Sequence, residues 1–268
     1  METIAVLGTG RMGTPICRRL LSAGHQVAVW NRTASRSERL VRAGARRADS
    51  PAAAVADADT VITVLSDAVA VDTVLFGPAG AASALRPGTC LVQMSTIGPE
   101  AVAELARRLP AEVHLIDAPV VGSVDAAQAG RLTVLAAGDP AAVDRAAPVL
   151  QALGTVRRCG ALGAGSALKL VLNTALVTAM AALRDTVAVA DAVGVDRSVA
   201  LAALGTGPLG GAAKRATATG AWFPIALASK DITLALRHLG DRPAPVARAA
   251  ARVLSAAPDQ NADLSVLV

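Results

Sequence analysis

A glycine-rich turn between an apolar segment and a helical one constrains this chain more than any other feature. The segment Ile4–Leu7 is short, apolar and bounded by glycine, which predicts a buried strand of a parallel sheet. The next six residues read Gly8-Thr9-Gly10-Arg11-Met12-Gly13, and a helical pattern follows them. Glycines at this spacing permit a tight turn, close approach of the backbone to a pyrophosphate and packing of the helix on the strand. Because the N-terminus of the helix would face the phosphates, the sequence predicts a dinucleotide site at residues 8–13.

The end of the second predicted strand, Val27–Trp30, bears on which dinucleotide binds. Sites specific for NAD place a carboxylate here to accept hydrogen bonds from the ribose 2′-hydroxyl, whereas this chain has Asn31. Arg32 can bind a phosphate through its guanidinium fork, Thr33 offers a hydroxyl and a backbone N–H, and Arg36 follows one turn later. The pattern favours NADPH over NADH. The alternative interpretation is that both arginines are solvated charges at the start of an arginine-rich helix.

Composition narrows the class of protein. The chain has 268 residues, enough for one large domain or two moderate ones. Its net charge of +5 could suit nucleic acid, but the arginines are dispersed and aromatic residues for base stacking are few, so no nucleic-acid partner is predicted. Cys17, Cys90 and Cys159 are far apart and form no C-x-x-C pair, so neither a metal site nor a disulfide framework is predicted.

Hydropathy predicts no membrane association. The apolar stretch Leu162–Val195 contains Lys169, Arg184 and Asp185 among other polar groups, too many for a membrane span. The first apolar segment leads directly into the glycine turn rather than into a cleavage site, so no signal peptide is expected. These observations predict a cytoplasmic protein.

Alternation of strands and helices predicts two domains. Up to residue 161, apolar strands alternate with helical patterns, which is typical of a parallel sheet with crossover helices. Further strands are predicted at Thr60–Leu65, Cys90–Met94, Val113–Ile116, Leu132–Ala136 and Thr155–Arg158. Two of the intervening helices begin after the capping pairs Ser50-Pro51 and Gly98-Pro99.

From residue 162 onward the pattern is helical. Apolar residues at three- and four-residue spacing from Leu168 to Val187 predict one helix of about 30 residues. Shorter helices are predicted at Arg197–Leu204, Ala212–Thr219, Ile225–Leu239 and Pro245–Ala256. The predicted fold is therefore α/β: a Rossmann-type dinucleotide-binding domain, residues 1–161, joined by a long interdomain helix to an all-helical domain, residues 162–268.

The lysines indicate where chemistry would occur. Of the 26 basic residues only three are lysines, Lys169, Lys214 and Lys230, and the others are arginines. Lysine, unlike arginine, can release its proton near neutral pH. Asn173 lies four residues after Lys169, on the same helix face and near the domain junction, where a cleft is expected. A carbonyl that receives hydride needs a proton donor and a second hydrogen-bonding group, and this pair supplies both. The alternatives are codon-usage drift, a lysine that reaches solvent and an asparagine that bonds to nearby backbone.

The ordered motifs resemble the β-hydroxyacid dehydrogenase family, which includes 3-hydroxyisobutyrate dehydrogenase and the glyoxylate and succinic semialdehyde reductases, and whose first domain is the 6-phosphogluconate dehydrogenase NAD-binding domain. Beyond the glycine turn, the matching motifs are Trp30-Asn31-Arg32-Thr33, Ser95-Thr96-Ile97, Asp117-Ala118-Pro119-Val120, Gly163-x-Gly165-x-x-x-Lys169-x-x-x-Asn173, Phe223, Lys230-Asp231 and Asp263-x-Ser265. They cover nearly the whole chain.

This resemblance implies an NADPH-dependent interconversion of a small aldehyde or oxo acid and its alcohol or hydroxy acid. Lys169 matches the family's general acid, and Asn173 the residue that orients it. Implied cofactor contacts, besides residues 8–13 and 31–33, are Leu65, Ser66, Thr96 and Lys230. Implied substrate contacts are Thr96, Val121, Gly122, Ser123, Phe223 and Asp231. The resemblance also implies that the helical domain, residues 162–268, binds substrate and forms a homodimer.

Two departures and two rival functions remain. Val121 and Thr174 stand where many family members have a serine and a second asparagine, so the pocket is expected to favour a less polar aldehyde, ketone or imine. An NADPH-dependent imine reductase resembles the chain at residues 30–33, although those enzymes usually have aspartate or tyrosine in place of Lys169. A non-catalytic NADPH-binding sensor is the other rival, and it would be expected to lose the lysine.

Overall fold

The structure, a computed structural model, describes residues 2–219 and 221–268. Met1, where the predicted first domain begins, lies outside the described residues. The chain divides into two compact units, Met1–Lys169 and Leu170–Val268. The domain boundary between residues 161 and 162 remains a prediction.

The first unit is built on a twisted, mostly parallel sheet. Its described strands are β1 (Thr3–Leu7), β2 (Gln26–Trp30), β3 (Arg46–Arg47), β4 (Thr60–Thr63), β5 (Cys90–Gln93), β6 (His114–Asp117), β7 (Val120–Val121), β8 (Leu132–Ala137) and β9 (Gly154–Gly160). The order β3-β2-β1-β4-β5-β6 is parallel throughout, β8 runs antiparallel to β6 and β7, and β9 runs parallel to β8. This is the strand order of a doubly wound dinucleotide-binding fold, so the Rossmann-type prediction is confirmed.

Strand β1 shows why this sheet is covered on both faces. Ile4 and Val6 pack into one apolar cluster with side chains of the first helix, while Ala5 and Leu7 pack into a second cluster on the opposite face. All four residues are fully buried, as the continuous apolar segment predicts for a central parallel strand.

Seven α-helices of the first unit lie in the described chain: α1 (Gly13–Ser22), α2 (Glu38–Val41), α3 (Pro51–Val55), α4 (Ala68–Phe76), α5 (Pro99–Arg108), α6 (Val124–Gln128) and α7 (Pro140–Leu153). The predicted cap of α3 is confirmed, because Ser50 Oγ accepts a hydrogen bond from the Ala53 N–H at 3.0 Å. Helix α5 begins at Pro99 as expected, and Gly98 precedes it without a side-chain cap.

Helices form the second unit. Helix α8 (Ala164–Ala192) begins in the first unit and is followed by α9 (Arg197–Leu204), α10 (Gly210–Thr217), α11 (Ile225–Leu239) and α12 (Pro245–Ser255). The predicted bounds of α9 and α11 are confirmed. Helix α10 lies two residues earlier than predicted, because Ala218 already has extended backbone angles.

Helix α8 has a buried face and an uncovered one. Its residues Val177, Met180, Leu183 and Val187 are buried in a core shared with α10, α11 and α12. By length and composition the helix could cross a membrane, and only a third of its most apolar window is buried. The absence of membrane association therefore remains a prediction.

Candidate functional site

The glycine loop between β1 and α1 has the shape that a pyrophosphate requires. Gly8 adopts a φ of +108°, and a Cβ there would lie 2.3 Å from the Val64 carbonyl oxygen. A Cβ at Gly13 would lie 1.9 Å from the Gly8 carbonyl oxygen, so α1 packs directly on the turn. A Cβ at Gly10, in contrast, would meet no atom within 4 Å. The loop is thus tightly packed on the protein side and open at Gly10, beside the N-terminus of α1.

Asn31 braces this loop. Its Oδ1 accepts a hydrogen bond from the Thr9 N–H at 3.0 Å, and its Nδ2 donates to the Thr33 carbonyl oxygen at 2.9 Å. The Thr9 hydroxyl lies 3.2 Å from the Ser37 hydroxyl, and both side chains are buried. Sequence analysis missed Ser37, because a buried serine in a short 3-10 helix carries no spacing signal.

The predicted phosphate-binding residues lie directly beside the loop. Strands β1 and β2 pair in parallel with Leu7 opposite Trp30, and the Gly8 N–H donates to the Trp30 carbonyl oxygen at 2.9 Å. Arg32 and Thr33 follow β2 and are exposed. A positive charge is therefore available next to the turn, with no carboxylate at position 31.

Three further predicted cofactor positions, Leu65, Ser66 and Thr96, follow the neighbouring strands β4 and β5. The Leu65 N–H, after β4, donates to Ser95 Oγ at 2.8 Å. Ser95, after β5, is itself fixed by the buried Gln93, whose Oε1 accepts the Ser95 N–H at 2.7 Å. Thr96 follows at once and is half-buried, whereas Ser66 is exposed. Gln93 was not predicted, since its burial and its hydrogen bond with Thr63 of β4 depend on the neighbouring strand.

The ends of β1, β2, β4 and β5 share one edge of the sheet. The strands are parallel and adjacent, and the order reverses direction between β1 and β4. Ligands of doubly wound sheets bind at the carboxyl edge beside such a reversal. The residues present therefore fit a dinucleotide in shape and in hydrogen-bonding groups.

The predicted substrate loop follows β7. Val121 pairs with Thr133 of β8, and Gly122 has a φ of +138° with its missing Cβ directed at Leu132. Ser123 Oγ accepts the Ala126 N–H at 3.2 Å and so caps α6. Its hydroxyl oxygen is therefore already engaged with the backbone.

Three predicted residues come together in the second unit. Asn173 Nδ2 donates to Asp231 Oδ2 at 2.5 Å, and Asp231 Oδ1 lies 2.6 Å from Lys230 Nζ. Asn173 is 5% exposed and Asp231 is 2% exposed. Because its Nδ2 bonds to Asp231, the amide of Asn173 presents Oδ1 as an acceptor. Lys169, half-buried, precedes Asn173 by one turn of α8.

Phe223, just before α11, is held by the C-terminal segment. Its N–H donates to Asp263 Oδ2 at 2.7 Å, and Arg215 binds both carboxylate oxygens of Asp263 at 3.0 and 2.6 Å. Burial raises the pKa of Asp263, but hydrogen bonds from Arg215, Phe223 and Ser265 outweigh it, and the net pKa lies well below the ordinary value.

Among residues 2–219 and 221–268, no group of three or more His, Cys, Asp or Glu side chains is arranged to hold a metal ion. Within the same ranges the three cysteines are unbridged, with Cys17 and Cys90 buried.

Residues 3–163 match the family described as the NAD binding domain of 6-phosphogluconate dehydrogenase. This match covers more than half of the chain.

Similar curated proteins carry two kinds of name. Cytokine-like nuclear factor N-PAC of Xenopus tropicalis is 34% identical over 210 residues, which are 78% of this chain and 39% of that protein. A probable 3-hydroxyisobutyrate dehydrogenase-like 1, mitochondrial, of Arabidopsis thaliana is 36% identical over 209 residues, 77% of this chain and 63% of that protein. The chain thus matches about two fifths of the first relative and less than two thirds of the second.

Solved structures match over the whole length. The 3-hydroxyisobutyrate dehydrogenase of Mycobacterium tuberculosis, determined with L-serine, is 28% identical, with a TM-score of 0.87 over 100% of this chain and 98% of that one. Another structure of this fold, 27% identical, is a complex with NADP+. Imine reductase and reductive aminase structures are 23–24% identical, which shows a shared fold alone.

Proposed function

Because this chain belongs to the family of the 6-phosphogluconate dehydrogenase NAD binding domain and is β-hydroxyacid dehydrogenase-like, we propose that it is an NADPH-dependent reductase of a small aldehyde or oxo acid. It interconverts that carbonyl compound and the corresponding alcohol or hydroxy acid. Residues 8–13 hold the pyrophosphate of the cofactor and residues 31–33 its 2′-phosphate, while Leu65, Ser66, Thr96 and Lys230 contact other parts of it.

The observation that carries this proposal is the Lys169 and Asn173 pair, with Asn173 fixed by Asp231 at 2.5 Å. When bound, NADPH supplies the hydride that reduces the carbonyl carbon. Lys169 Nζ donates a proton to the carbonyl oxygen as negative charge develops there, and the oxygen becomes a hydroxyl. Asn173, one turn further along α8, supplies the hydrogen-bonding group that orients the substrate and the lysine. In the reverse direction the neutral amine accepts the hydroxyl proton.

The preference for NADPH rests on residues 31–33. A carboxylate at position 31 would repel the 2′-phosphate, and the amide present there does not. Arg32 is exposed beside the loop and can form two hydrogen bonds to a phosphate.

The substrate class follows from the loop after β7. The Ser123 hydroxyl oxygen accepts the Ala126 N–H, and Val121 contributes no hydroxyl. A carboxylate in this loop would have the Ser123 O–H and backbone N–H groups as donors, one hydroxyl fewer than with a serine at position 121. We therefore propose that neutral aldehydes are used in preference to oxo acids.

A second candidate is binding of NADPH without turnover. The relatives called cytokine-like nuclear factor N-PAC are named as nuclear factors and not as dehydrogenases, and this observation favours the non-catalytic function. An imine reductase is the third alternative, and Lys169 is the residue that distinguishes the proposed enzyme from it.

One assay separates these functions. Purified protein is given NADPH with neutral aldehydes, α-oxo acids or cyclic imines, and absorbance at the nicotinamide band is followed while calorimetry measures cofactor binding. Turnover of carbonyl compounds supports the proposal. Turnover of imines alone supports an imine reductase, and tight binding with no turnover supports the non-catalytic candidate; either result contradicts a carbonyl reductase.

A further inference from the structure

Asp117, at the end of β6, is a fully buried carboxylate that takes no part in the site contacts described above. Ser166 is also fully buried and belongs to the first turn of α8. The Ser166 N–H donates to Asp117 Oδ2 at 2.7 Å, and its hydroxyl donates to Asp117 Oδ1 at 2.6 Å. Both carboxylate oxygens are thus bound by one residue of the helix that carries Lys169.

This contact differs from the other helix caps of the first unit. Helices α3, α4, α6 and α7 are capped by the residue directly before them, Ser50, Asp67, Ser123 and Asp139. Such a cap satisfies an N–H group at the start of a helix but does not locate the helix on the sheet. Asp117 lies 49 positions from Ser166 and projects from a strand, so it fixes α8 relative to the sheet.

The backbone around the contact leaves little freedom. A Cβ at Gly165 would lie 2.3 Å from the Leu135 carbonyl oxygen and 3.0 Å from the Asp117 carbonyl oxygen. The first turn of α8 therefore packs directly on the ends of β6 and β8. A carboxylate beside the N-terminus of a helix is also electrostatically favourable.

Lys169 follows Ser166 by three residues in the same helix. The two are neighbours on the helix surface, about 4.5 Å apart along the axis. Any shift or rotation of the first turn moves the lysine by a similar amount, and a misplacement of about 1 Å can reduce a catalytic rate about 100-fold.

We propose that Asp117 and Ser166 are positioning residues that set the location of Lys169 on the nucleotide-binding unit. This inference rests on the proposed function only for its effect on rate. A change in the surroundings of the lysine side chain can be detected without substrate.

The test compares Asp117→Asn and Ser166→Ala with Asp139→Asn. Asp139 accepts the Ala142 N–H at 3.0 Å and caps α7, which carries no predicted site residue. The control therefore makes the same chemical change at a helix start. Ser166→Ala keeps the backbone bond to Asp117, so it provides the test even if Asp117→Asn does not fold.

Two readouts are taken on each full-length variant. The first is kcat together with the Kd for NADPH. The second is the NMR signal of Lys169 in protein labelled with ¹³Cε-lysine, which has only three lysine signals, assigned with Lys214→Arg and Lys230→Arg.

We expect kcat to fall about tenfold or more in both test variants, with Kd for NADPH within about twofold, and the Lys169 signal to shift. Asp139→Asn is expected to change neither. Unchanged kcat and an unchanged signal in the test variants would overturn the inference, as would an equal shift in the control. If the wild type turns over no carbonyl compound while the signal still shifts only in the test variants, the positioning role stands and the proposed function falls.

Discussion

Two asparagine side chains, Asn31 and Asn173, act in the candidate site through both the donor and the acceptor of their amides. Asn31 accepts from Thr9 and donates to Thr33, so its side chain is used in bracing the glycine loop. Asn173 donates to Asp231 and keeps its oxygen as an acceptor. An aspartate at either position has the same shape but lacks the N–H donor. At position 173 its carboxylate would also lie against the carboxylate of Asp231, and the two negative charges would repel each other.

Arg32 is predicted to set cofactor preference. In Arg32→Asp the new carboxylate would accept hydrogen bonds from a ribose hydroxyl and repel a 2′-phosphate, so the ratio of kcat/KM for NADPH to that for NADH should fall at least about tenfold. The control is Arg157→Asp, the same charge reversal at an exposed position on β9, at the other edge of the sheet. A ratio that is unaltered in Arg32→Asp, or altered equally in both variants, would contradict the phosphate site.

Elements of the second unit are connected by the C-terminal segment. Asp263 joins α10, through Arg215, to the residues that precede α11. The Leu264 N–H donates to the Phe223 carbonyl oxygen at 3.0 Å, and the Ile225 N–H donates to the Ala262 carbonyl oxygen at 3.0 Å. Asp263 and Arg215 side chains are only 10% and 14% exposed, so the ion pair is poorly screened.

This ion pair predicts a specific pH dependence of stability. The folded pKa of Asp263 is lowered, so its stabilisation is complete above the unfolded pKa of about 4 and is lost as pH falls below that value. Asp263→Asn should lower the free energy of unfolding by about 1–3 kcal/mol at pH 7 and should lose less stability than the wild type between pH 5 and 3.

Thermal unfolding followed by circular dichroism from pH 7 to pH 3 measures this effect. Asp241→Asn, at an exposed position after α11, is the control and should follow the wild-type curve. Parallel acid limbs for wild type and Asp263→Asn would contradict the assignment.

Elements with strong local patterns could be predicted from sequence, and contacts across the fold could not. The glycine-bounded strand β1 and helices α9 and α11 are recognisable from apolar spacing. The two-residue strands β3 and β7 were not predicted. A strand of two residues is too short to show an apolar pattern, and it forms only because a neighbouring strand pairs with it. Their register, Ala28 with Arg46 and Val121 with Thr133, has no local signal.

The same distinction holds in the candidate site. Lys169 and Asn173 could be paired from helical spacing alone. The bonds that hold them, Asp117 with Ser166 and Asn173 with Asp231, join residues 49 and 58 positions apart. Only the tertiary structure brings such groups together.

At the scale of the whole molecule, several large apolar side chains on and just after α8 are exposed. Val171, Val189, Val193 and Val199 are 63%, 61%, 68% and 60% exposed. Contiguous exposed apolar surface marks interaction sites. We propose a homodimer that covers the exposed side of α8 and α9, in a protein for which a cytoplasmic location remains a prediction.

Sedimentation velocity at micromolar concentration is expected to show a dimer. Val189→Asp places a charge in the proposed interface and should shift the population to monomer, because an unpaired charge is costly to bury. Val69→Asp, on α4 and 75% exposed, is the matched control and should remain dimeric. A monomeric wild type, or a dimer that persists in Val189→Asp, would contradict this interface. If the wild-type protein can be purified only in detergent, the result would instead favour a membrane-bound α8.

The most direct test of the central claim is kcat for Lys169→Ala with the best carbonyl substrate at saturating NADPH. Loss of the proton donor predicts a decrease in kcat of about 10²–10⁴, with Kd for NADPH within about twofold of the wild type. Lys214→Ala, which removes an exposed lysine on α10, should keep the wild-type kcat. A kcat in Lys169→Ala within about threefold of the wild type would contradict the assignment of Lys169 as the general acid.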